Sequence, residues 1–207
     1  MSQLNRRGLL LVVSGPAGVG KGSIDRVLLE RHPSMRLSVS ATTRAARPGE
    51  IDGVHYFFTD EQSFKEMIDR QEFLEYTQVF NMNYYGTPRK FVEEEIEAGH
   101  DVLLEIDVQG AMNIRKTYPD AVLVFVAPPD MGELKSRLIG RGTETPEAVE
   151  RRFATAYAEL SFIDKYDYVV VNDVLDSAIN EVESIVIAEK CRTARNTSLL
   201  TKLQEGK

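Results

Sequence analysis

Ser14-Gly15-Pro16-Ala17-Gly18-Val19-Gly20-Lys21-Gly22-Ser23 decides how the rest of the chain is read. Before it stands Gly8-Leu9-Leu10-Leu11-Val12-Val13, an apolar run of the kind a buried strand requires. After it, Ile24, Val27, Leu28 and Leu29 fall at helical spacing among Asp25, Arg26 and Glu30. Strand, glycine-rich loop, lysine and helix in that order predict a phosphate-cradling P-loop. Glycines let successive N–H groups turn inward with no Cβ in the way. The helix N-terminus adds positive potential, and Lys21 adds a point charge. The common pattern places Ser or Thr directly after the lysine, where its hydroxyl ligates magnesium. Here that position is Gly22, and the hydroxyl arrives one residue later, at Ser23.

Composition narrows the classes. The chain has 207 residues and a net charge of −7. One domain with insertions is expected at that length, and the acidic balance argues against a general nucleic-acid binder. Helical and strand-like segments alternate, which predicts an α/β fold with a mainly parallel sheet. Cys191 is the sole cysteine, so an internal disulfide and a cysteine-rich zinc site are excluded, and it reads as a structural thiol in a late helix. The first apolar run stops at Ser14, too short for a signal peptide or a membrane span. A cytoplasmic protein without membrane attachment is expected.

Outward from the loop, helix one should end near His32-Pro33. A short strand from Leu37 then passes into a polar loop with Arg44 and Arg47. Alone these are ordinary solvated arginines; beside a P-loop they suggest a second phosphate site, since arginine forks match phosphate oxygens bidentately. Asp60 can cap a helix whose stripe is Phe64, Met67 and Ile68. Phe73 to Phe80 mixes polar and apolar residues as a strand does, with Glu75 inside it, either solvent-facing or turned to a ligand. Pro88 opens a helix that Gly99 closes. Asp101-Val102-Leu103-Leu104-Glu105-Ile106-Asp107 reads as a buried strand ending in acids, at the edge where open α/β sheets bind ligands. Ala121 to Ala127 is another buried strand. Arg137, Arg141 and Arg152 flank the turn Gly140-Arg141-Gly142-Thr143-Glu144-Thr145, as a lid closing on phosphates requires. Tyr168 to Val171 is a last strand, followed by Asn172-Asp173 and a long helix from Leu175. The tail beyond Asn196 is polar and reads as loose.

The Gly-Lys-Gly-Ser loop ending resembles those of some nucleoside monophosphate kinases. Ser40-x-x-x-Arg44-x-x-Arg47-Pro48-Gly49-Glu50 and Gly53-x-His55-Tyr56-Phe57-Phe58 sharpen the resemblance to the guanylate kinase family. It continues through Phe73-Leu74-Glu75, Asn83-Tyr84-Tyr85-Gly86-Thr87, Leu104 to Gly110, Gly140 to Thr145 and Val171-Asn172-Asp173, spanning roughly Leu9 to Arg192.

That resemblance implies a three-layer P-loop nucleoside-kinase fold with core residues 1–38 and 90–207, a GMP-binding insertion at 39–89 and a lid at 138–153. It implies transfer of the γ-phosphoryl group of ATP to GMP, and to dGMP, with magnesium. Gly15 to Ser23 and Asn172 would bind ATP. Lys21, Arg44, Arg137, Arg141 and Arg152 would be catalytic. Arg44, Arg47, Tyr56 and Tyr85 would hold the GMP phosphate, and Ser40, Thr87 and Asp107 would shape the base pocket. The segment before Tyr84-Tyr85 is one residue longer than the family's spacing, and Tyr85 is taken as the equivalent residue. Glu75 would read guanine, whose N1–H and amine are two donors facing one way, matched by the two oxygens of a carboxylate. Ser23 and Glu105 are the candidate metal contacts, Glu105 through the ion's waters. A scaffold domain of the same ancestry would show a damaged loop or missing phosphate arginines; this chain keeps both.

Overall fold

The apolar run before the glycine loop forms β1 (Leu10–Ser14), buried along its whole length. Its side chains alternate between two cores. Leu9, Leu11 and Val13 enter one, and Leu10 and Val12 enter the other. Period-two alternation with both faces apolar is what a central strand between helical layers demands. The computed structural model describes residues 7–79, 82–140 and 146–205, with residues 146–148, 198 and 199 as backbone alone.

In chain order β1 is followed by α1 (Lys21–Arg31), β2 (Arg36–Leu37), β3 (Ala41–Thr42), β4 (Phe57–Phe58) and α2 (Glu61–Asp69). Next come β5 (Phe73–Val79), β6 (Asn83–Pro88), α3 (Arg89–Glu97), β7 (Val102–Glu105), α4 (Val108–Thr117) and β8 (Val122–Ala127). The remainder is α5 (Met131–Ile139), α6 (Pro146–Glu159), β9 (Tyr168–Val171), α7 (Leu175–Lys190) and α8 (Thr197–Gln204). Five strands make a parallel sheet in the order β2-β7-β1-β8-β9. Ile24 and Leu28 of α1, Leu134 of α5, Ala156 of α6 and Val182 of α7 cover one face. Val92 and Ile96 of α3 with Ala111 and Ile114 of α4 cover the other. Each Val, Leu or Ile among these, fully buried, contributes about 1.5–3 kcal/mol before entropy is counted. The result is the three-layer α/β architecture.

A second sheet, in the order β4-β3-β6-β5, is built entirely from residues between 41 and 88. Its own core is small: Ala41, Phe64 and Phe73, with Met67, Ile68 and Tyr84 against it. Asp60 caps α2 by accepting from the Ser63 N–H at 2.8 Å.

Three details differ from the sequence reading. The acidic strand stops at Glu105, because Asp107 leaves the ladder to cap α4, accepting from the Gly110 N–H at 2.7 Å. The tail carries α8, whose start is pinned by the Asn196 side chain donating to the carbonyls of Lys190 and Arg192. Cys191 is exposed at the C-cap of α7 rather than within the helix. Among the described residues no helix is long and apolar enough to cross a membrane.

Candidate active site

Residues 15–20 link β1 to α1 at the carboxyl end of the parallel sheet. Gly20 precedes α1 with φ 94°, and a Cβ there would lie 2.4 Å from Asn172 Nδ2. Only glycine satisfies both the left-handed backbone and that approach. Asn172, just past β9, donates through the same Nδ2 to the Val19 carbonyl at 2.8 Å. Lys21 Nζ donates to the carbonyls of Gly15 and Pro16 at 2.7 and 3.1 Å. Burial lowers its pKa, opposed by Glu105, Glu159, Asp25 and Asp107. Gly22 and Ser23 are exposed on the first turn of α1 and do not line the cleft described next.

A cleft of about 480 Å³ separates the loop from the second sheet. Gly15, Ala17 and Lys21 form its floor at one end, and Ser40, Tyr56, Glu75 and Tyr85 form the facing wall. Glu105, Asp107 and Gly110 lie between them, and Arg152, Thr155 and Glu159 look in from α6.

Glu75 is the most informative of these. It is 5% exposed, and its Oε1 accepts from the Thr87 hydroxyl at 2.8 Å. Its Oε2 is buried without a donor among the described residues. A Cβ on Gly110 would lie 3.1 Å from that Oε2 and 3.3 Å from Asp107 Oδ1, so the two carboxylates share one corner of the cleft. Burial, reinforced by Asp107, pushes the Glu75 carboxyl up to about 7 despite the Thr87 bond. Asp107 is itself raised by burial, while the Gly110 N–H and Lys21 pull it down. Thr87 is fully buried behind Glu75 and does not line the cleft.

At the other end of the wall Arg44 makes a two-bond fork to Glu50, each bond 2.9 Å. Its guanidinium lies 5.3 Å from the centre of the Tyr56 ring, which meets Tyr85 edge-on at 5.9 Å. Arg44, with the Arg47 N–H, holds the Glu50 carboxyl down at about 2. The Arg47 side chain is exposed. Tyr84 and Tyr85 point oppositely, as strand neighbours must: Tyr84 stacks on Phe64 at 5.4 Å in the small core. Arg137 on α5 bonds Glu133 at 2.7 Å and the Asn172 carbonyl at 3.0 Å, outside the cleft wall. Arg152 lines the cleft, and Arg141 lies outside the described residues.

Glu159 was missed by the sequence reading. It lines the cleft, and burial, with Asp107 adding, pushes its carboxyl up to about 7 against the pull of Lys21. The signal was available: 152, 155 and 159 recur at helical spacing on α6, so an arginine, a hydroxyl and a carboxylate share one face. Asp25 and Glu50 also went unassigned.

A parallel sheet whose central strand runs into a glycine loop at a helix N-terminus, opposite a wall of buried carboxylate and paired arginine, defines a P-loop nucleotide-binding enzyme. The family model described as guanylate kinase matches residues 7–189. A guanylate kinase from Caldanaerobacter subterraneus subsp. tengcongensis is 48% identical over 202 residues, covering 98% of each chain. One from Syntrophomonas wolfei is 49% identical, covering 91% of this chain and 96% of its own. The crystal structure of guanylate kinase from Anaplasma phagocytophilum superposes with a TM-score of 0.78 at 35% identity, covering 93% of this chain and 91% of that one. The chain belongs to the guanylate kinase family.

Proposed function

We propose that the cleft holds ATP and GMP with their phosphates meeting over Lys21, and that the enzyme moves the γ-phosphoryl group of ATP to GMP, giving ADP and GDP. That reaction is the family's. The observation that carries the residue assignment is Glu75 Oε2, a buried acceptor with no donor among the described residues, beside a second oxygen already fixed by Thr87. A buried acceptor left empty in a cleft asks for a ligand donor. Guanine supplies two side by side, whereas adenine turns its N1 acceptor toward the same carboxylate. Ser40 and Asp107 complete the base pocket, with Thr87 acting through Glu75.

Arg44, Arg47, Tyr56 and Tyr85 take the GMP phosphate. For Arg44 this means exchanging or sharing its Glu50 fork with phosphate oxygens. The loop from Gly15 to Ser23, with Asn172 bracing it, takes the ATP phosphates. The lid arginines, Arg137, Arg141 and Arg152, neutralise charge as the phosphoryl group passes. No general base is required, because a phosphate monoester is already an anionic nucleophile. The division into core, insertion (39–89) and lid (138–153) follows the same logic, since the acceptor groups from Ser40 to Thr87 all belong to the segment carrying the second sheet.

Magnesium fits this site as a companion of the nucleotide. Among the described residues no group of three or more His, Cys, Asp or Glu could hold a metal alone. The Glu105 carboxylate, packed against Gly22 at the start of α1, suits a hard cation that brings phosphate and water ligands with it. When bound, the ion neutralises charge on the β- and γ-phosphates. We place the reaction in the cytoplasm, where Cys191 would stay reduced, with nucleotides and no nucleic acid as ligands. The test is ADP release with ATP, magnesium and each nucleoside monophosphate in turn. Release driven by GMP and dGMP is expected; equal release with AMP removes the guanine assignment.

A further inference from the structure

Glu75 faces the cleft because β5 is irregular. The strand pairs with β6 at Phe73↔Pro88 and then from Glu75↔Thr87 onward, so the register slips by one residue at Leu74. In a regular strand Phe73 and Glu75 would point the same way. Here Phe73 joins the small core, with its ring 6.3 Å from that of Tyr76. Leu74 joins the core cluster of Leu10 and Val12, and Glu75 turns into the cleft. A bulge beside a site is a means of aiming one side chain.

A bulge also weakens its own ladder, and β5 is an edge strand with β6 on one side only. On its other side runs a groove of about 510 Å³ with Arg89 and Asn113 in its walls. Arg89, the first residue of α3, spans the entry to the bulge. Its Nε donates to the Gln71 carbonyl at 3.2 Å and its Nη2 to the Phe73 carbonyl at 3.0 Å. Its backbone N–H donates to the Glu72 carbonyl between them at 2.8 Å. Gln71 is the one non-glycine residue with positive φ, 56°, among the described residues. Such a conformation persists where its surroundings hold it. Beyond Glu75, Asn113 of α4 donates through Nδ2 to the Tyr76 carbonyl at 3.0 Å, while Gln109 donates to its Oδ1 at 3.3 Å. The parallel-sheet layer thus grips β5 before and after Glu75.

We propose that Arg89 and Asn113 are positioning residues for guanine recognition: standing in for a missing strand on either side of Glu75, they fix the bulge that aims its carboxylate at the base. Neither lines the cleft, so both act through Glu75, and the inference rests on the guanine reading of Glu75 proposed above. A carboxylate that pairs with two donors at once is sensitive to a small displacement. The phosphate loop, planted on β1, does not depend on this seam.

The test measures steady-state phosphoryl transfer to GMP and AMP by the wild type, Arg89→Met and Asn113→Ala, alone and combined with Glu75→Gln. Arg89→Met keeps the stem and removes both side-chain donors. It should lower kcat/KM for GMP about 10–100-fold, through KM rather than kcat, with KM for ATP unchanged and the preference for GMP over AMP reduced in proportion. Asn113→Ala should move the same quantities less. Arg89→Lys, which keeps the charge and can return one bond, should recover part of the loss. Added to Glu75→Gln, Arg89→Met should cost less than about twofold more, because its effect passes through the carboxylate already removed. A folded Arg89→Met that keeps the parental KM and preference overturns the proposal. So does a loss that falls on kcat for both nucleotides alike, or one that adds in full to Glu75→Gln. Should Arg89→Met fail to fold, Asn113→Ala decides by the same criteria. Retention of the parental preference by Glu75→Gln alone removes instead the reading on which the inference rests.

Discussion

On the loop side of the cleft the ligand-facing groups are backbone and one lysine; on the facing wall they are side chains of several kinds. The loop is shaped by the left-handed Gly20, braced by Asn172 and planted on β1, where every residue is buried. Its donors are N–H groups that any phosphate can use, so it recognises a class of ligand. The wall is set on a four-stranded sheet, two of whose strands are only two residues long, over a core of three buried side chains. Its groups are Glu75, Arg44, Tyr56 and Tyr85, each with its own chemistry, so it recognises one molecule. Backbone sites tolerate much sequence change provided the turn survives. Side-chain sites fail one residue at a time.

Glu75→Gln is the strongest way to break that contrast. It keeps shape but replaces an acceptor by an NH₂ facing a guanine donor. A charge-assisted bond is lost and donors are left unpaired, at about 1.5–3 kcal/mol for the bond and a similar amount for the donors. kcat/KM for GMP should fall about 10²–10⁴-fold. ATP affinity should hold, and AMP should gain relative to GMP. A variant that keeps the parental GMP preference shows that guanine is read elsewhere.

Lys21→Met asks the same question of the loop. Loss of its charge should lower kcat about 10²–10³-fold, as removal of one positioned transition-state donor does, with GMP binding little changed. Near-normal turnover would leave the loop as a passive cradle. Arg152→Ala comes next, at about 10²-fold in kcat, because arginines on a transferring phosphoryl group act mainly in the transition state. An equal loss of GMP affinity would move Arg152 to the acceptor wall.

The smallest effect is in pH. Glu75 must be ionised to accept both guanine donors, and its free-enzyme pKa is about 7. kcat/KM for GMP should therefore fall as pH drops through 7, by about tenfold per unit once well below it. Glu159 titrates in the same range, so the contribution of Glu75 is the part that Glu75→Gln removes. Thr87→Val deletes the bond that favours the ionised form and should move the midpoint upward. Stability runs the other way. An acid whose folded pKa is raised from 4.5 to about 7 binds more protons folded than unfolded, so its cost grows as pH rises between those values. Thermal melts of Glu75→Gln should match the parent near pH 4 and exceed it at pH 8. A flat difference across that range contradicts the burial account of Glu75.

Much of the parallel core was legible because its strands are apolar runs bounded by glycine, proline or acid, and its helices carry plain stripes such as Ala178, Ile179, Val182 and Val186. The loop was legible because its chemistry is local in sequence. The wall was less so. Glu75, Thr87, Asp107 and Gly110 come from β5, β6 and the β7–α4 junction, and the corner they share is created by strand pairing. Residue type alone left Glu75 open to a solvent-facing reading. Glu159 and Asp25 were illegible for another reason. Each sits in a helix where a carboxylate is commonplace, and only burial against Lys21 or Glu105 sets it apart. Asp107 shows one residue doing two jobs, since the oxygen that caps α4 also borders the cleft.

Lys21 bonded to the carbonyls of Gly15 and Pro16 has a consequence for competition. Those oxygens are tethered to the lysine by the chain itself, so as rivals for its charge they act at a fixed effective concentration that no dilution lowers. An incoming anion must outbid both of them. Inorganic phosphate or sulfate brings one small anion to that contest, whereas a nucleoside triphosphate brings several linked oxygens that engage the loop N–H groups at the same time. The resting loop is thus selective for polyphosphate before the second nucleotide arrives, and simple anions in the medium should inhibit it weakly.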